Sequence, residues 1–444
     1  MTIALAQALG AAIARDWHGD FDAVQRAALA DIVRTAFIDT AACVLAAREE
    51  PATRAVAAWA RQRGGTPRAA ILFGAERLPA AAAALVNGVA GHALDYDDVG
   101  LAGHPSGVLV PALWAECEAG GPTGFALVQA YAKGYAVWGE LQRRLRVPLH
   151  ARGWHPSAVF GVVAAAAAVA ALRGLDAGQA AHALGVAASQ AGGVVANFGS
   201  MTKPLHVGRA AEGGIAAVDL VLQGLDASAD ALDGPAGLLA ALGGTDNADL
   251  ASPCADDLAT TLLRQRPGIK QYPVCYAAHR SVDAVLDLAR EHGLAAGYIA
   301  AIDATISETT VGVLRHHAPA QITTARFSLE FALAAALVRG RLGLAEVAPA
   351  TLADPRVQAL MPRVRTHTVR TSCPLEPSFA YTDQVRITLH DGRVLDSGPV
   401  RFARGHAQRP LSEAQLHDKL VSCVGPDEQA LAADVQRRIA SALA

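Results

Sequence analysis

The chain has 444 residues, room for two or three domains; 52% are hydrophobic but only 5% aromatic, so alanine-lined, close helix packing is favoured. Formal net charge is −3 with no basic stripe, which argues against nucleic acid as a partner. The six cysteines (Cys43, Cys117, Cys254, Cys275, Cys373 and Cys423) are scattered without a C-x-x-C pair, which argues against a zinc cage or disulfide framework and fits a reducing cytoplasm.

The N-terminus, MTIALAQALGAAIARDW, lacks the charged start of a signal peptide and reads as a helix. From residue 2 to about 222 the pattern is helix after helix. Residues 21–49 carry Ile32, Phe37, Ile38 and Ala41 at helical spacing, and Pro51 stops them. A short helix spans 52–63, a turn 64–67 and an extended piece 70–73. Helices are expected over 78–95, 106–118, 124–144, 157–173, 177–191 and 209–222. The apolar run 158–172, bounded by His155 and Arg173, falls short of the about 20 residues of a membrane span and reads as a buried helix. The texture changes near Pro267-Gly268-Ile269-Lys270-Gln271-Tyr272-Pro273. Strands are expected over 298–307, 363–371, 384–390 and 393–395, with a helix over 327–339 and a hairpin turn at Asp391-Gly392. Helices over 413–424 and 427–443 close the chain. The expected fold is mainly α: a large all-helical domain (1–268 plus 403–444) with a smaller α+β domain (269–402) inserted before the C-terminal helices.

Chemistry concentrates at residues 87–115, NGVAGHALDYDDVGLAGHPSGVLVPALWA. A helix ends in Asp95, Asp97 and Asp98, where the dipole makes carboxylates unfavourable. His104, ahead of Pro105-Ser106, is expected just outside the next helix start, a place suited to an anion. The device returns at His155-Pro156-Ser157, and in cationic form at Lys203-Pro204, flanked by a glycine-bearing loop. Lys270, Cys275 and His279 form a further set at the expected domain junction, a common place for ligands. Each feature also has a plain reading: a solvated acidic helix end, capping or core histidines, a surface lysine, a buried cysteine. Read as a site, neutral imidazoles at His104 and His155 move a proton, Asp95 orients or polarises them, and Lys203 neutralises a carboxylate. Lys270, Cys275, His279, Ser106 and Ser157 are the candidate substrate-binding set. No phosphate loop, nucleophile elbow, H-E-x-x-H or G-x-G-x-x-G occurs, so nucleotide, serine-hydrolase and zinc-protease chemistry drop out. What remains is acid–base chemistry on a small anion, with no metal or other cofactor called for.

At these residues the chain resembles the MmgE/PrpD family. H-A-L-D-Y-D-D, G-H-P-S-G, G-W-H-P-S-A-V, G-S-M-T-K-P-L-H-V-G-R-A-A and I-K-x-Y-P-V-C-Y-A-A-H-R follow the family's order over residues 87–280. Weaker likeness runs through Ala325-Arg326-Phe327-Ser328 to Arg409-Pro410-Leu411-Ser412-Glu413. The resemblance implies a helical domain built from both chain ends, an α+β lid domain and a homodimer. It implies dehydration, decarboxylation or epimerisation of a small di- or tricarboxylate, without metal or iron–sulfur cluster. For members similar to the decarboxylase it implies a site at Asp95, His104, His155, Lys203 and Lys270. Cys275 stands where the decarboxylase has a histidine, Val313 and Leu314 occupy the area of a tyrosine, and Val99 stands where threonine is common. Two rivals are a terpene-type cyclase using D-x-D-D, disfavoured by the few aromatics, and a non-catalytic carboxylate-binding protein.

Overall fold

The computed structural model describes residues 3–376, 378–425 and 428–444. The first half is a stack of helices: α1 (Leu5–Ala14), α2 (Ala23–Ala46), α3 (Pro51–Gln62), α4 (Ala80–Ala93), α5 (Pro105–Glu118), α6 (Phe125–Arg143), α7 (Pro156–Leu172), α8 (Ala177–Ala188) and α9 (Thr202–Leu222). Local signals set many of the ends. Asp22 and Asp176 close capping boxes with Gln25 and Gln179, and Pro51, Pro105 and Pro156 open their helices. The alanine-rich α7 is buried along almost its whole length. Among the described residues no helix is long and apolar enough to cross a membrane.

Small residues let the central helices touch backbone to backbone. A Cβ on Gly208 of α9 would lie 2.4 Å from the Leu85 carbonyl oxygen and 2.6 Å from Val89 Cγ2, both on α4. This contact sets the second turn of α9 against the middle of α4, ahead of the acidic cluster that follows its end. Gly208→Val therefore forces the two helices apart. It is expected to cost about 1–3 kcal/mol of stability, read as a lowered urea midpoint.

The remaining strands are β1 (Ala69–Ala70), β2 (Arg77–Leu78), β3 (Ile299–Ser307), β4 (Val364–Val369), β5 (Gln384–Leu389) and β6 (Val394–Asp396). β1 and β2 pair alone; the others form a sheet ordered β4-β3-β5-β6, with β3 parallel to β4 and antiparallel to β5. The β5–β6 hairpin turns at Asp391-Gly392, with Gly392 at φ 87°. The helices His279–His292 and Leu329–Arg339 pack on this sheet. One apolar cluster joins α1 to α9 with Leu420, Cys423, Val435 and Ile439 of the helices Glu413–Val424 and Gln429–Leu443; a second runs from Tyr272 to Leu389. The expected helix start at Asp427, like residue 2, lies outside the described residues.

Two expectations needed correction, and one helix had not been expected. Of residues 70–73 only Ala70 is in a strand: Leu72 and Phe73 both sit at φ 54°, in a turn that the Asn87 side chain holds by accepting from Leu72 N–H and donating to the Ala70 carbonyl. α9 starts at Thr202 rather than residue 209, so Lys203 is helical despite preceding Pro204. Proline there falls within the first turn, where an N–H has no intrahelical partner to lose. The helix His279–His292 was not foreseen, although Val282, Val285 and Leu288 mark one buried face.

Candidate active site

α4 ends at Ala93, and the chain then turns sharply. Asp95 adopts a left-handed backbone at φ 52°, which a non-glycine residue holds only when its surroundings impose it. The three carboxylates are not a solvated helix end; Asp95, Asp97 and Asp98 are all buried.

Each carboxylate has a separate task. Asp95 Oδ1 accepts from Lys203 Nζ at 2.6 Å, and Oδ2 lies 3.1 Å from Lys270 Nζ. Lys270 also donates to the Asp95 carbonyl at 2.8 Å. Burial alone would raise the Asp95 pKa, but the two lysines hold it well below the usual carboxylate range. Asp97 binds His92, whose Nδ1 lies 2.8 Å from Oδ1. Asp98 is seated at the start of α5: Ser106 N–H donates to Oδ1 and the Ser106 hydroxyl bonds Oδ2. The place expected for an anion at that helix start is therefore filled by the chain's own Asp98 side chain, whose pKa burial raises well above the usual carboxylate range.

These contacts define protonation states. The His104 Nδ1 lies 2.8 Å from the Asp98 carbonyl, which can only accept, so Nδ1 carries the proton and Nε2 is the basic nitrogen. His92 is fixed likewise: Nδ1–H donates to Asp97, and Nε2 accepts from Lys203 Nζ at 2.6 Å. Burial pushes both imidazoles below their usual range, for His104 well below, against the opposing pull of Asp97. His155 is also held well below it, by burial and by Lys203. His104 and His155 occupy the N-cap positions of α5 and α7, as expected.

A cavity of about 80 Å³ lies over this cluster. Asp95, His104, Lys203, Lys270 and Cys275 line it, with Phe198, Phe327, Val99 and Val313 on its apolar walls. The Lys203 ammonium lies 5.1 Å from the Phe198 ring and 5.3 Å from the Phe327 ring. An ammonium has three protons. Lys203 uses two, on Asp95 and His92, and Lys270 uses one, on the Asp95 carbonyl, with Oδ2 beside it as an ion pair, so each keeps at least one for a ligand carboxylate. The volume is far below the roughly 300–1,000 Å³ of sites for drug-sized ligands, and the charged wall suits a small anion.

Not every expected site residue meets the cavity: His155 is not among its lining residues, its ring centroid 6.4 Å from that of His104. The Ser106 hydroxyl is used by Asp98 and by Tyr131 at 2.7 Å; the Ser157 hydroxyl accepts from the His104 backbone N–H at 3.1 Å. Both shape the loop instead of facing ligand. His279 packs between Tyr272 and Tyr276, with Nε2 3.2 Å from the Val274 carbonyl. Burial raises the Cys275 thiol to about 11, so it forms a neutral wall. Asp95 orients lysines and not a histidine; that role belongs to Asp97 and the Asp98 carbonyl. His92 was overlooked as a site residue although it stands three residues before Asp95, and His150, another cavity residue, had no motif to mark it. His92, His104 and His155 each bring a ring nitrogen within 4.8 Å of the others. His92 has both nitrogens engaged and the Lys203 ammonium beside it, which makes this cluster receptive to an anion rather than a metal cation.

Several buried neutral histidines also give a stability prediction. His92, His104, His150, His155 and His206 all have folded pKa values below the usual 6.5, His150 and His206 at about 4. Below pH 6.5 the unfolded chain binds protons that the folded one refuses, so stability is full above that pH and lost as pH falls from 6.5 toward 4. More than one proton is involved. The unfolding free energy is therefore expected to fall by more than about 1.4 kcal/mol per pH unit below pH 6, measured by urea titrations across that window.

A buried pocket brings together two ammonium groups, a shared carboxylate and neutral imidazoles between helix ends, the groups that acid–base chemistry on a small anion requires. Comparison with known proteins gives the family. Residues 20–251 match the MmgE/PrpD N-terminal domain and residues 272–444 the MmgE/PrpD C-terminal domain. The chain belongs to the MmgE/PrpD family. It is 31% identical over 360 residues to the mouse cis-aconitate decarboxylase, covering 77% of this chain and 71% of that one, and 30% identical over 356 residues to the human one, covering 77% and 72%. It is 34% identical over 145 residues to a cis-aconitate decarboxylase-like protein of Aspergillus oryzae, 30% of each chain. These likenesses support a lyase of the dehydratase or decarboxylase type.

Proposed function

We propose that the protein is a cofactor-independent lyase for a small di- or tricarboxylate, moving a proton at the carbon next to a carboxylate. The observation that carries this is the pairing of Lys203 and Lys270 on Asp95 beside His104, whose Nε2 is unprotonated. The free N–H of each lysine binds a substrate carboxylate, and desolvation strengthens that attraction. Negative charge that develops at carbon spreads into the bound carboxylate, under the two ammonium groups. His104 Nε2 accepts the proton at carbon, and His155, which brings a ring nitrogen within 4.8 Å of the His104 ring, is the second imidazole for returning one. Cis-aconitate, the molecule named for the mammalian relatives, is the first substrate to try. An epimerase of a dicarboxylate would use the same groups without releasing water or carbon dioxide.

Two further points are proposals. The two apolar clusters support a helical domain of residues 1–268 plus 403–444 and a lid domain of 269–402. Exposed Leu220, Leu222 and Leu225, at and beyond the end of α9, suit a homodimer contact, which light scattering would test.

The deciding experiment is a thermal-shift screen of small polycarboxylates followed by proton NMR of each hit in deuterium oxide. Loss of water, loss of carbon dioxide and simple exchange at carbon are distinguished in one spectrum. Full turnover by both His104→Ala and Lys203→Ala would defeat the assignment. Tight binding with no exchange at carbon would leave a carboxylate-binding protein instead, the reading favoured by Cys275 and Val313 on the cavity wall.

A further inference from the structure

The cavity sorts its charges onto one side. Asp95, Lys203 and Lys270 are the charged side chains among its described lining residues, and all come from the first 270 positions. From Cys275 onward the described lining carries no charged side chain. Val313, Phe327 and Phe379 form apolar walls there. Burial raises the Cys275 thiol and the Tyr276 phenol, so both stay neutral. Thr309 and Ser378 bring hydroxyls; the Thr310 hydroxyl donates to the Ser307 carbonyl at 3.3 Å instead. Thr309 is exposed, so the cavity meets solvent on this uncharged side.

The charged side can neutralise one further anion. Lys203 and Lys270 share Asp95, at 2.6 Å from Oδ1 and 3.1 Å from Oδ2, so two ammonium groups face one carboxylate and their surplus is a single positive charge at a single place. His104 and His150 line the same side, but burial lowers both and keeps them neutral, His150 at about 4. Asp97, buried 3.7 Å from His104 Nδ1, adds negative charge behind this wall. One substrate carboxylate therefore uses up the surplus. A second one inside the cavity would lie against phenylalanine and valine without a counter-ion, and an unpaired buried carboxylate is costly.

We infer that the cavity takes in one carboxylate of its substrate, that the part of the substrate against residues 275–379 is uncharged, and that any second carboxylate stays in the open mouth. This rests on the carboxylate-binding role of the two lysines proposed above, and it narrows the substrate class to dicarboxylates. A dicarboxylate with its charges at opposite ends can span from the lysines to the mouth. A tricarboxylate with its charges on consecutive carbons must press one of them on the apolar wall. Cis-aconitate is then expected to bind this chain weakly.

Calorimetric titration of the full chain with tricarballylate, glutarate and butanoate tests this, each acid lacking one carboxylate of the one before. Glutarate is expected to bind about tenfold or more tighter than tricarballylate, and butanoate to stay within about tenfold of glutarate. Tricarballylate binding as tightly as glutarate, or butanoate falling below that range, overturns the inference. If no acid binds, or if Lys203→Met binds glutarate as well as the wild type does, the lysine site proposed above has failed and this inference falls with it. Val313→Lys puts a cation on the uncharged side, with Val313→Met as the control for size. It is expected to raise affinity for tricarballylate by about tenfold more than for butanoate. Thr309→Lys, at an exposed position on the same side, repeats the comparison without disturbing a packed wall. No selective gain for tricarballylate in the folded lysine variants overturns the inference as well.

Discussion

His104→Gln is expected to lower kcat by about 10²–10⁴-fold while leaving the melting temperature nearly unchanged. The backbone at His104 is held independently of its ring, because its N–H donates to the Ser157 hydroxyl at 3.1 Å. The glutamine amide still offers a donor toward the Asp98 carbonyl that now accepts from Nδ1 at 2.8 Å. What it lacks is the basic Nε2. Turnover and hydrogen exchange at the substrate carbon in deuterium oxide measure the effect together. If exchange persists at the wild-type rate, His104 is not the base and His155 takes that role. The same imidazole, held well below its usual pKa, stays neutral through physiological pH, so kcat should not titrate with it between pH 6 and 8.

The second large effect lies outside the cavity. Lys419→Met is expected to cost about 3–5 kcal/mol of stability, seen as a lowered urea midpoint. Lys419 comes from the helix Glu413–Val424 and is buried. Its Nζ lies 2.6 Å from Asp39 Oδ1 and donates to the Tyr96 carbonyl at 2.7 Å and the Lys270 carbonyl at 3.0 Å. The substitution leaves the Asp39 carboxyl buried without its cation, to be either charged and unpaired or forced to take up a proton. It also frees the backbone on either side of the site, next to Asp95 and at Lys270, so KM should rise as well. Adding Asp39→Asn to Lys419→Met should restore part of the stability, since an uncompensated buried charge costs more than a missing pair. Equal stability of the single and double variants would contradict the pairing.

Much of the helical half was legible, because its signals are local. Capping residues such as Asp22 and Asp176, prolines at helix starts and apolar periodicity act within a few residues. The errors came where a distant partner outweighed a local rule. Pro204 argued for a loop at Lys203, yet the close contact of Gly208 with Leu85 and Val89 draws α9 onto α4 and carries the helix back to Thr202. Leu72 and Phe73 read as strand, yet the Asn87 side chain bends them. Ser106 and Ser157 looked like ligand contacts because they sit beside the key histidines; only their partners in space show that their hydroxyls are already used.

The motifs alone determined the residue types that could do the chemistry: carboxylates at a helix end, imidazoles ahead of prolines and lysines elsewhere in the chain, with the family resemblance that collects them. The tertiary structure decided which group each of them serves. Asp95 belongs to the lysines, Asp97 to His92 and Asp98 to the start of α5. The last two pairings are local in sequence, but Asp95 meets Lys203 and Lys270 across 108 and 175 positions, a separation that no local pattern encodes.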